Sequence, residues 1–142
     1  MRKVLIINGP NLNLLGKREE AVYGNKSFEE FLPELKEAAA GNDARIEYFQ
    51  SNHEGEIIDR IHKAMGRIDN IIINPGALTH YSYSIHDALV SVKIPAIEVH
   101  ISNIYARDDW RAKSVISPAA AGVISGFGLK GYMMALGSLL QS

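Results

Sequence analysis

The sequence predicts an α/β fold in which helices cover both faces of a parallel sheet. Short apolar runs alternate with amphipathic helical segments five times, and strands joined through helices run parallel. At 142 residues the chain fits one catalytic domain, residues 1–142, with a core of its own. Its composition, 46% hydrophobic and 22% charged, is ordinary for a globular protein.

Five apolar runs are predicted strands. The first, residues 4–7, is apolar at every position, which is typical of a strand that is buried on both faces. It ends at an Asn-Gly-Pro turn. The other predicted strands are residues 46–49, 71–73, 96–99 and 123–124.

Four segments have helical spacing. Ser27 and Glu30 have the spacing of a capping box, Gly41 is a stop signal, and Pro33 predicts a kink or a later start of this first helix. Each helix has an apolar face of its own. The faces are Phe28, Phe31, Leu32 and Leu35; Ile57, Ile58, Ile61, Ala64 and Met65, ended by Gly66; Ile85, Ala88, Leu89 and Val92; and Leu129, Met133, Leu136 and Leu140.

Charge and composition exclude several classes of function. The formal net charge is -1 and the basic residues are spread along the chain, so we expect no nucleic-acid or membrane partner. No apolar run reaches the roughly 18–20 residues of a membrane span, and no signal peptide is evident. The absence of cysteine excludes disulfides and thiol catalysis. We therefore expect a cytoplasmic protein.

Polar residues follow three of the predicted strands. The first strand leads into the loop of residues 8–24, the third into residues 74–80, and the fourth into residues 100–103, with Arg107 and Arg111 shortly after. Ligands of parallel α/β sheets bind beyond the carboxyl ends of the strands. Amides, histidines and arginines at this edge suit an anionic, hydroxylated small molecule.

Other interpretations of these motifs are weaker. Asn-Gly-Pro and Asn-Pro-Gly also form turns that have no function. Residues 126–131 match G-x-G-x-x-G, but no strand or acidic residue follows as a dinucleotide site requires, so we expect these glycines to pack the last helix on the sheet. A phospho-receiver needs an acidic pair after the first strand, and a flavin site needs a Ser/Thr-rich phosphate loop. The Asn-Gly-Pro-Asn turn after this strand provides neither. The five histidines lack the spacing of a metal site.

Motifs along the whole chain resemble those of type II 3-dehydroquinate dehydratases. The match begins with Asn-Gly-Pro-Asn-Leu at residues 8–12 and continues through Arg-Glu at 18–19 and Tyr-Gly at 23–24. It extends through residues 50–55, 74–80, 97–103, 126–128 and 131–132. Departures from the family pattern are Glu20 in place of Pro, Ala77 in place of Gly and His86 in place of Arg.

The resemblance implies a flavodoxin-like, three-layer α/β/α fold with a five-stranded parallel sheet in the order 2-1-3-4-5. It implies the dehydration of 3-dehydroquinate to 3-dehydroshikimate, in aromatic amino-acid biosynthesis or quinate breakdown, without metal or organic cofactor. It also implies a homododecamer, a tetramer of trimers, in which Asp87 reaches the site of a neighbouring subunit.

Residue roles follow from the same resemblance. Tyr23 matches the base and His100 the acid, while Arg18 and Asn11 match the other catalytic residues. The substrate contacts match Asn74, His80, Asp87, Ile101, Ser102 and Arg111. Further candidates for support of the site are Gly76, Glu98 and Arg107.

The implied chemistry needs a tyrosine base and an enolate. Free tyrosine has a pKa of about 10, so a nearby guanidinium group must lower the pKa of the base. Arg18 is the first candidate for that role and Arg107 the second. We expect Asn11 to stabilise the enolate oxygen, and Arg111 to hold the substrate carboxylate. Residues 16–24 are predicted to act as a mobile lid.

Overall fold

Five parallel strands form one sheet in the order β2-β1-β3-β4-β5, as predicted. The computed structural model describes residues 1–17, 21 and 25–140. The strands are β1 (Arg2–Asn8), β2 (Ala44–Gln50), β3 (Asn70–Asn74), β4 (Ala96–His100) and β5 (Gly122–Ser125). The helices are α1 (Phe28–Ala40), α2 (Glu54–Lys63), α3 (Tyr83–Val92) and α4 (Lys130–Leu140).

Helices cover both faces of the sheet, which confirms the predicted layers. Alternate residues of β1 point to opposite faces, as in any strand. Val4 and Ile6 belong to an apolar cluster with α1 and α4. Leu5 and Ile7 belong to a second cluster with α2 and α3. The central strand is therefore buried on both faces, as its continuous apolar run predicts.

The first helix begins where the capping box predicts. The Ser27 hydroxyl accepts the Glu30 N–H at 3.1 Å, and the Glu30 carboxylate accepts the Ser27 N–H at 3.1 Å. The predicted later start is wrong, because Pro33 lies inside α1. Pro33 has no N–H to donate to the carbonyl of Glu29 four residues earlier. Both residues are exposed, so water can satisfy that carbonyl.

The predicted apolar faces of two helices are partly wrong. Helix α2 ends at Lys63, and Met65 beyond it is 55% exposed. In α4 the buried face is turned relative to the predicted one, because Tyr132 points into the core and bonds to polar groups there. Gly131 fits the prediction that the glycines of residues 126–131 pack the last helix on the sheet, because a Cβ added there would lie 3.2 Å from a Val99 methyl. The buried residues of α4 are Gly131, Tyr132, Ala135, Leu136 and Leu139.

No α-helix lies between β4 and β5 in the described chain, in agreement with the four predicted helices, so the predicted count of five alternations is one too many. That connection contains three short 3-10 segments, Ile104–Ala106, Asp109–Ala112 and Ser117–Ala119. The described residues therefore form four α-helices. None of these helices is long and apolar enough to cross a membrane.

Candidate active site

Two glycine-containing turns pack against each other at the carboxyl ends of β1 and β3. The Gly9 N–H donates to the carbonyl of Asn74 at 2.8 Å, and a Cβ on Gly9 would lie 2.4 Å from the Pro75 carbonyl oxygen. Gly76 has a φ of 62°, and its Cβ would lie 3.0 Å from the Pro10 carbonyl oxygen. Only glycine leaves room for these two contacts. Gly9 and Gly76 therefore hold the two turns together beside the candidate site.

A cavity opens beyond β1, β3 and β4, where the sequence places the site. Its empty volume is about 640 Å³, counted with the open mouth. The lining residues are Pro10, Asn11, Leu12, Leu15, Asn74, Gly76, Ala77, His80, His100, Ile101, Ser102, Ile104, Arg107 and Arg111. The cavity thus brings together nine of the thirteen predicted site residues.

Of the other four predicted residues, the structure describes Glu98 and Asp87. Glu98 is buried behind His100 and does not line the cavity. Asp87 is exposed on α3, away from the cavity lining. Arg18 and Tyr23 lie outside the described residues, as do Glu20 and most of the predicted lid.

Asn11 takes its position from a left-handed turn. Its φ is 70°, a conformation that asparagine tolerates better than most residues. The Asn11 N–H donates to the Asn52 side-chain oxygen at 2.9 Å, and Gln50 donates to that same oxygen and to the Gly9 carbonyl, both at 3.2 Å. The end of β2 therefore supports the loop that places Asn11 at the cavity.

His100 pairs with a carboxylate that is fully removed from solvent. Glu98 is 0% exposed and bonds to Nε2 of His100. Because a carboxylate accepts, Nε2 carries a proton, and Nδ1 remains for the ligand. Burial by itself raises the pKa of Glu98, but the hydrogen bond and charge of His100, with the hydroxyls of Thr79 and Ser117, lower that pKa overall. Glu98 is therefore an ionised partner of His100.

His80 and Arg111 are joined through the chain's only tryptophan, Trp110. The His80 ring meets the Trp110 ring edge-on with 5.0 Å between centroids, and the Arg111 guanidinium lies 4.1 Å from the Trp110 centroid. His80 Nδ1 donates to the Lys113 carbonyl at 2.6 Å, which leaves Nε2 as an acceptor. Burial lowers the pKa of His80, and the positive charges of His100 and Arg111 add to this effect.

Two guanidinium groups give the cavity its positive charge. Arg107 donates to the Ser102 hydroxyl at 3.2 Å. The Arg111 Nε lies 3.5 Å from the Asp108 carboxylate, and within the described part of the chain this buried nitrogen makes no hydrogen bond. A carboxylate ligand would supply an acceptor at this end of the cavity.

A buried tyrosine holds Asn74 in place. The Asn74 amide donates to the Tyr132 hydroxyl at 2.9 Å, and its oxygen accepts the Gly76 N–H at 3.1 Å. The Tyr132 hydroxyl donates to the Asn8 side-chain oxygen at 2.7 Å. Asn8 in turn donates to the Tyr48 hydroxyl at 3.3 Å, and burial raises the pKa of Tyr48 to about 12. This network fixes the orientation of the Asn74 amide.

Sequence reasoning named Glu98 as support for the site but assigned no role to five of the residues around it, which are Thr79, Trp110, Ser114, Ser117 and Tyr132. Glu98 interrupts an apolar strand, and a charge at such a position indicates a buried partner. No comparable signal pointed to the others, because the contacts that connect them to the site join residues distant in sequence. Tyr132, for instance, follows Asn74 by 58 residues.

Comparisons with known proteins give a consistent result. The family model "Dehydroquinase class II" matches residues 2–140. A "3-dehydroquinate dehydratase" of Caldicellulosiruptor bescii is 61% identical over 142 residues, covering 99% of this chain and 98% of the relative. One of Thermotoga petrophila is 53% identical over 134 residues, covering 94% and 92%. The crystal structure of a type II dehydroquinase from Butyrivibrio crossotus has a TM-score of 0.95 and 51% identity, covering 99% and 98%.

Proposed function

This chain belongs to the class II dehydroquinase family and dehydrates 3-dehydroquinate to 3-dehydroshikimate in the shikimate pathway, and we propose that it does so through an enolate in the cavity beyond β1, β3 and β4. One observation supports this location most strongly. The cavity places His100, paired with the buried carboxylate of Glu98, beside two guanidinium groups and two amide side chains. These are the groups that acid catalysis on an anionic substrate needs.

The proposed reaction has two steps. Tyr23, as tyrosinate, removes a proton next to the ketone, and Arg18, assisted by Arg107, lowers the pKa of that tyrosine. The electron pair moves onto the ketone oxygen, and Asn11 donates to the enolate that forms. The enolate then collapses and expels the hydroxyl, which takes a proton from His100 and leaves as water.

The remaining residues of the cavity orient the substrate. Arg111 suits the carboxylate, because its guanidinium offers a planar pair of donors and its Nε makes no hydrogen bond with other described residues. Asn74, His80 and Ser102 offer donors and acceptors for hydroxyl groups, and Ile101 adds an apolar wall. Tyr23 accepts the proton that leaves the substrate and His100 supplies the proton that leaves with the hydroxyl, so we propose a reaction without metal or organic cofactor.

We further propose that residues 1–142 form one catalytic domain and work in the cytoplasm as a homododecamer. Both apolar clusters pack on the same sheet, which supports a single domain. Family membership supports the assembly. Asp87 is exposed on α3 and lines no part of its own cavity, which leaves it available for a neighbouring subunit's site.

Direct turnover tests this function. Incubation with 3-dehydroquinate at neutral pH should produce the ultraviolet absorbance of the conjugated product, and no absorbance change would contradict the proposal. The Tyr23→Phe variant should lose about 10²–10⁴-fold in kcat, the usual contribution of a positioned base, while it still binds substrate. Tyr81→Phe is a matched control, since Tyr81 is 61% exposed and lies outside the cavity lining. A Tyr23→Phe rate close to that of the control would remove Tyr23 as the base.

A further inference from the structure

Hydroxyl groups surround the buried carboxylate that pairs with His100. Thr79 Oγ1 donates to Glu98 Oε2 at 2.6 Å, and Ser117 Oγ donates to Glu98 Oε1 at 2.7 Å. Ser114 Oγ lies 3.1 and 3.0 Å from the two carboxylate oxygens. Both oxygens of Glu98 thus receive donors from neutral groups in addition to the bond with His100.

Ser114 and Ser117 differ in what else they do. The Ser114 hydroxyl also accepts the N–H groups of Ile116 and Ser117, at 3.1 and 3.0 Å, and so holds the turn before β5. The Ser117 hydroxyl makes one hydrogen bond in the described structure, the one to Glu98. Ser117 is therefore the residue whose side chain acts on the carboxylate alone.

We propose that Ser117 is a positioning residue for the acid step, because its hydroxyl keeps Glu98 ionised and aligned on His100. The proposal rests on the proposed role of His100 as the acid. A carboxylate with fewer donors is a stronger base and holds the shared proton more tightly. The protonated His100 ring would then transfer its Nδ1 proton to the leaving hydroxyl less readily. Binding of the substrate should not change, because Ser117 does not line the cavity.

The charges around Glu98 and His100 make the titration of the Glu98 carboxylate the quantity to measure. His80 interacts electrostatically with Glu98, His100 and Arg111. His86 faces the neighbouring turn, where its Nδ1 donates to the Val115 carbonyl at 2.7 Å, and the side-chain hydrogen bond of Ser117 in the described structure is the one to Glu98. A substitution at Ser117 therefore changes one donor to the carboxylate and leaves these charges in place.

The test combines a carboxylate titration with kinetics. In protein labelled with ¹³C at glutamate carboxyls, the Glu98 signal is assigned by its loss in Glu98→Gln. The Ser117→Ala variant should shift the titration of this signal to higher pH and lower kcat by about 10-fold, the size of one hydrogen bond to a charged group, with KM within about two-fold. Ser117→Thr, which keeps a hydroxyl, should recover most of kcat. Ser138→Ala is a matched control, because the Ser138 hydroxyl donates to the Ala135 carbonyl of its own helix.

An unchanged Glu98 titration and an unchanged kcat in Ser117→Ala would overturn the proposal. An equal loss in Ser117→Thr and Ser117→Ala would also overturn it, since the hydroxyl would not be what matters. If Ser117→Ala does not fold, Ser117→Cys, which replaces the hydroxyl with a weaker donor, should shift the Glu98 titration in the same direction, and an unchanged titration would overturn the proposal. The titration uses substrate-free protein and does not depend on turnover. It therefore tests the effect of the Ser117 hydroxyl on Glu98 separately from the proposed function.

Discussion

The Asn74 side chain gets its orientation from a residue far along the chain. Its position could be predicted, because polar residues at the carboxyl ends of parallel strands face the ligand. Its orientation could not, because the Tyr132 hydroxyl comes from α4 and no local pattern marks that contact. The same contrast holds for His100, which was predicted, and for the hydroxyls of Thr79 and Ser117, which were not.

Removal of the Tyr132 hydroxyl should therefore affect both stability and substrate binding. Tyr132→Phe leaves the buried Asn74 amide and the Asn8 oxygen without that partner. The free energy of unfolding should fall by about 1–3 kcal/mol, the cost of unsatisfied buried polar groups. KM should rise more than kcat falls, since Asn74 is proposed to bind the substrate and not to transfer a proton. Urea unfolding and steady-state kinetics measure these effects, and values equal to those of Tyr81→Phe would contradict this account.

Among the elements, periodicity predicts strands and most helices but misses polar exceptions. The strand runs were predicted because β1, β3 and β4 are almost continuously apolar. The predicted face of α4 was partly wrong, because the buried face includes Tyr132, and hydrophobic spacing does not register a tyrosine with buried polar partners. The connection from β4 to β5 has no helical period, so its 3-10 segments and the Trp110 contacts within them could not be predicted.

The contact between Trp110 and His80 predicts a pH-dependent fluorescence signal. Burial disfavours the charged ring, so the pKa of His80 lies below its ordinary value of 6.5. The ring stays neutral as pH falls to 6.5, and its contribution to stability is present above that pH and is lost as pH falls through the lowered pKa. A protonated imidazole quenches a neighbouring indole, so Trp110 emission should drop with a midpoint below pH 6.5.

His80→Gln is the control for this titration, because it removes the titrating ring and keeps a polar side chain. The drop in emission should be absent from that variant. A midpoint at or above pH 6.5, or the same transition in His80→Gln, would show that the signal does not come from a His80 ring whose pKa is lowered.

At the scale of the whole molecule, one sheet carries an apolar cluster on each face and the candidate active site at the carboxyl ends of its strands. The predicted strand order made β1, β3 and β4 neighbours, and this is why loops far apart in sequence meet at one cavity. The class of fold and the place of the site were thus predictable. The packing of the β4–β5 connection beside the cavity was not, since its 3-10 segments follow no helical period.

The proposed assembly predicts a particle of twelve chains. Sedimentation equilibrium should give a mass twelve times that of the 15.6 kDa chain. Asp87→Ala should keep the assembly and raise KM, because Asp87 is proposed to act on a neighbour's substrate. A monomer at micromolar concentration, or a KM equal to that of Asp59→Ala on the neighbouring helix, would contradict a role for Asp87 across subunits.

The most direct test of the central claim is the kcat of His100→Gln with 3-dehydroquinate, measured beside that of the parent. His100 lines the cavity, and its Nε2 donates to the Glu98 carboxylate. Glutamine keeps a polar group there but cannot donate an acidic proton to the leaving hydroxyl. The account predicts that kcat falls by about 10²–10⁴-fold, with KM changed far less. General acids usually contribute about 10²–10⁴-fold, so a kcat within about three-fold of the parent would contradict His100 as the acid.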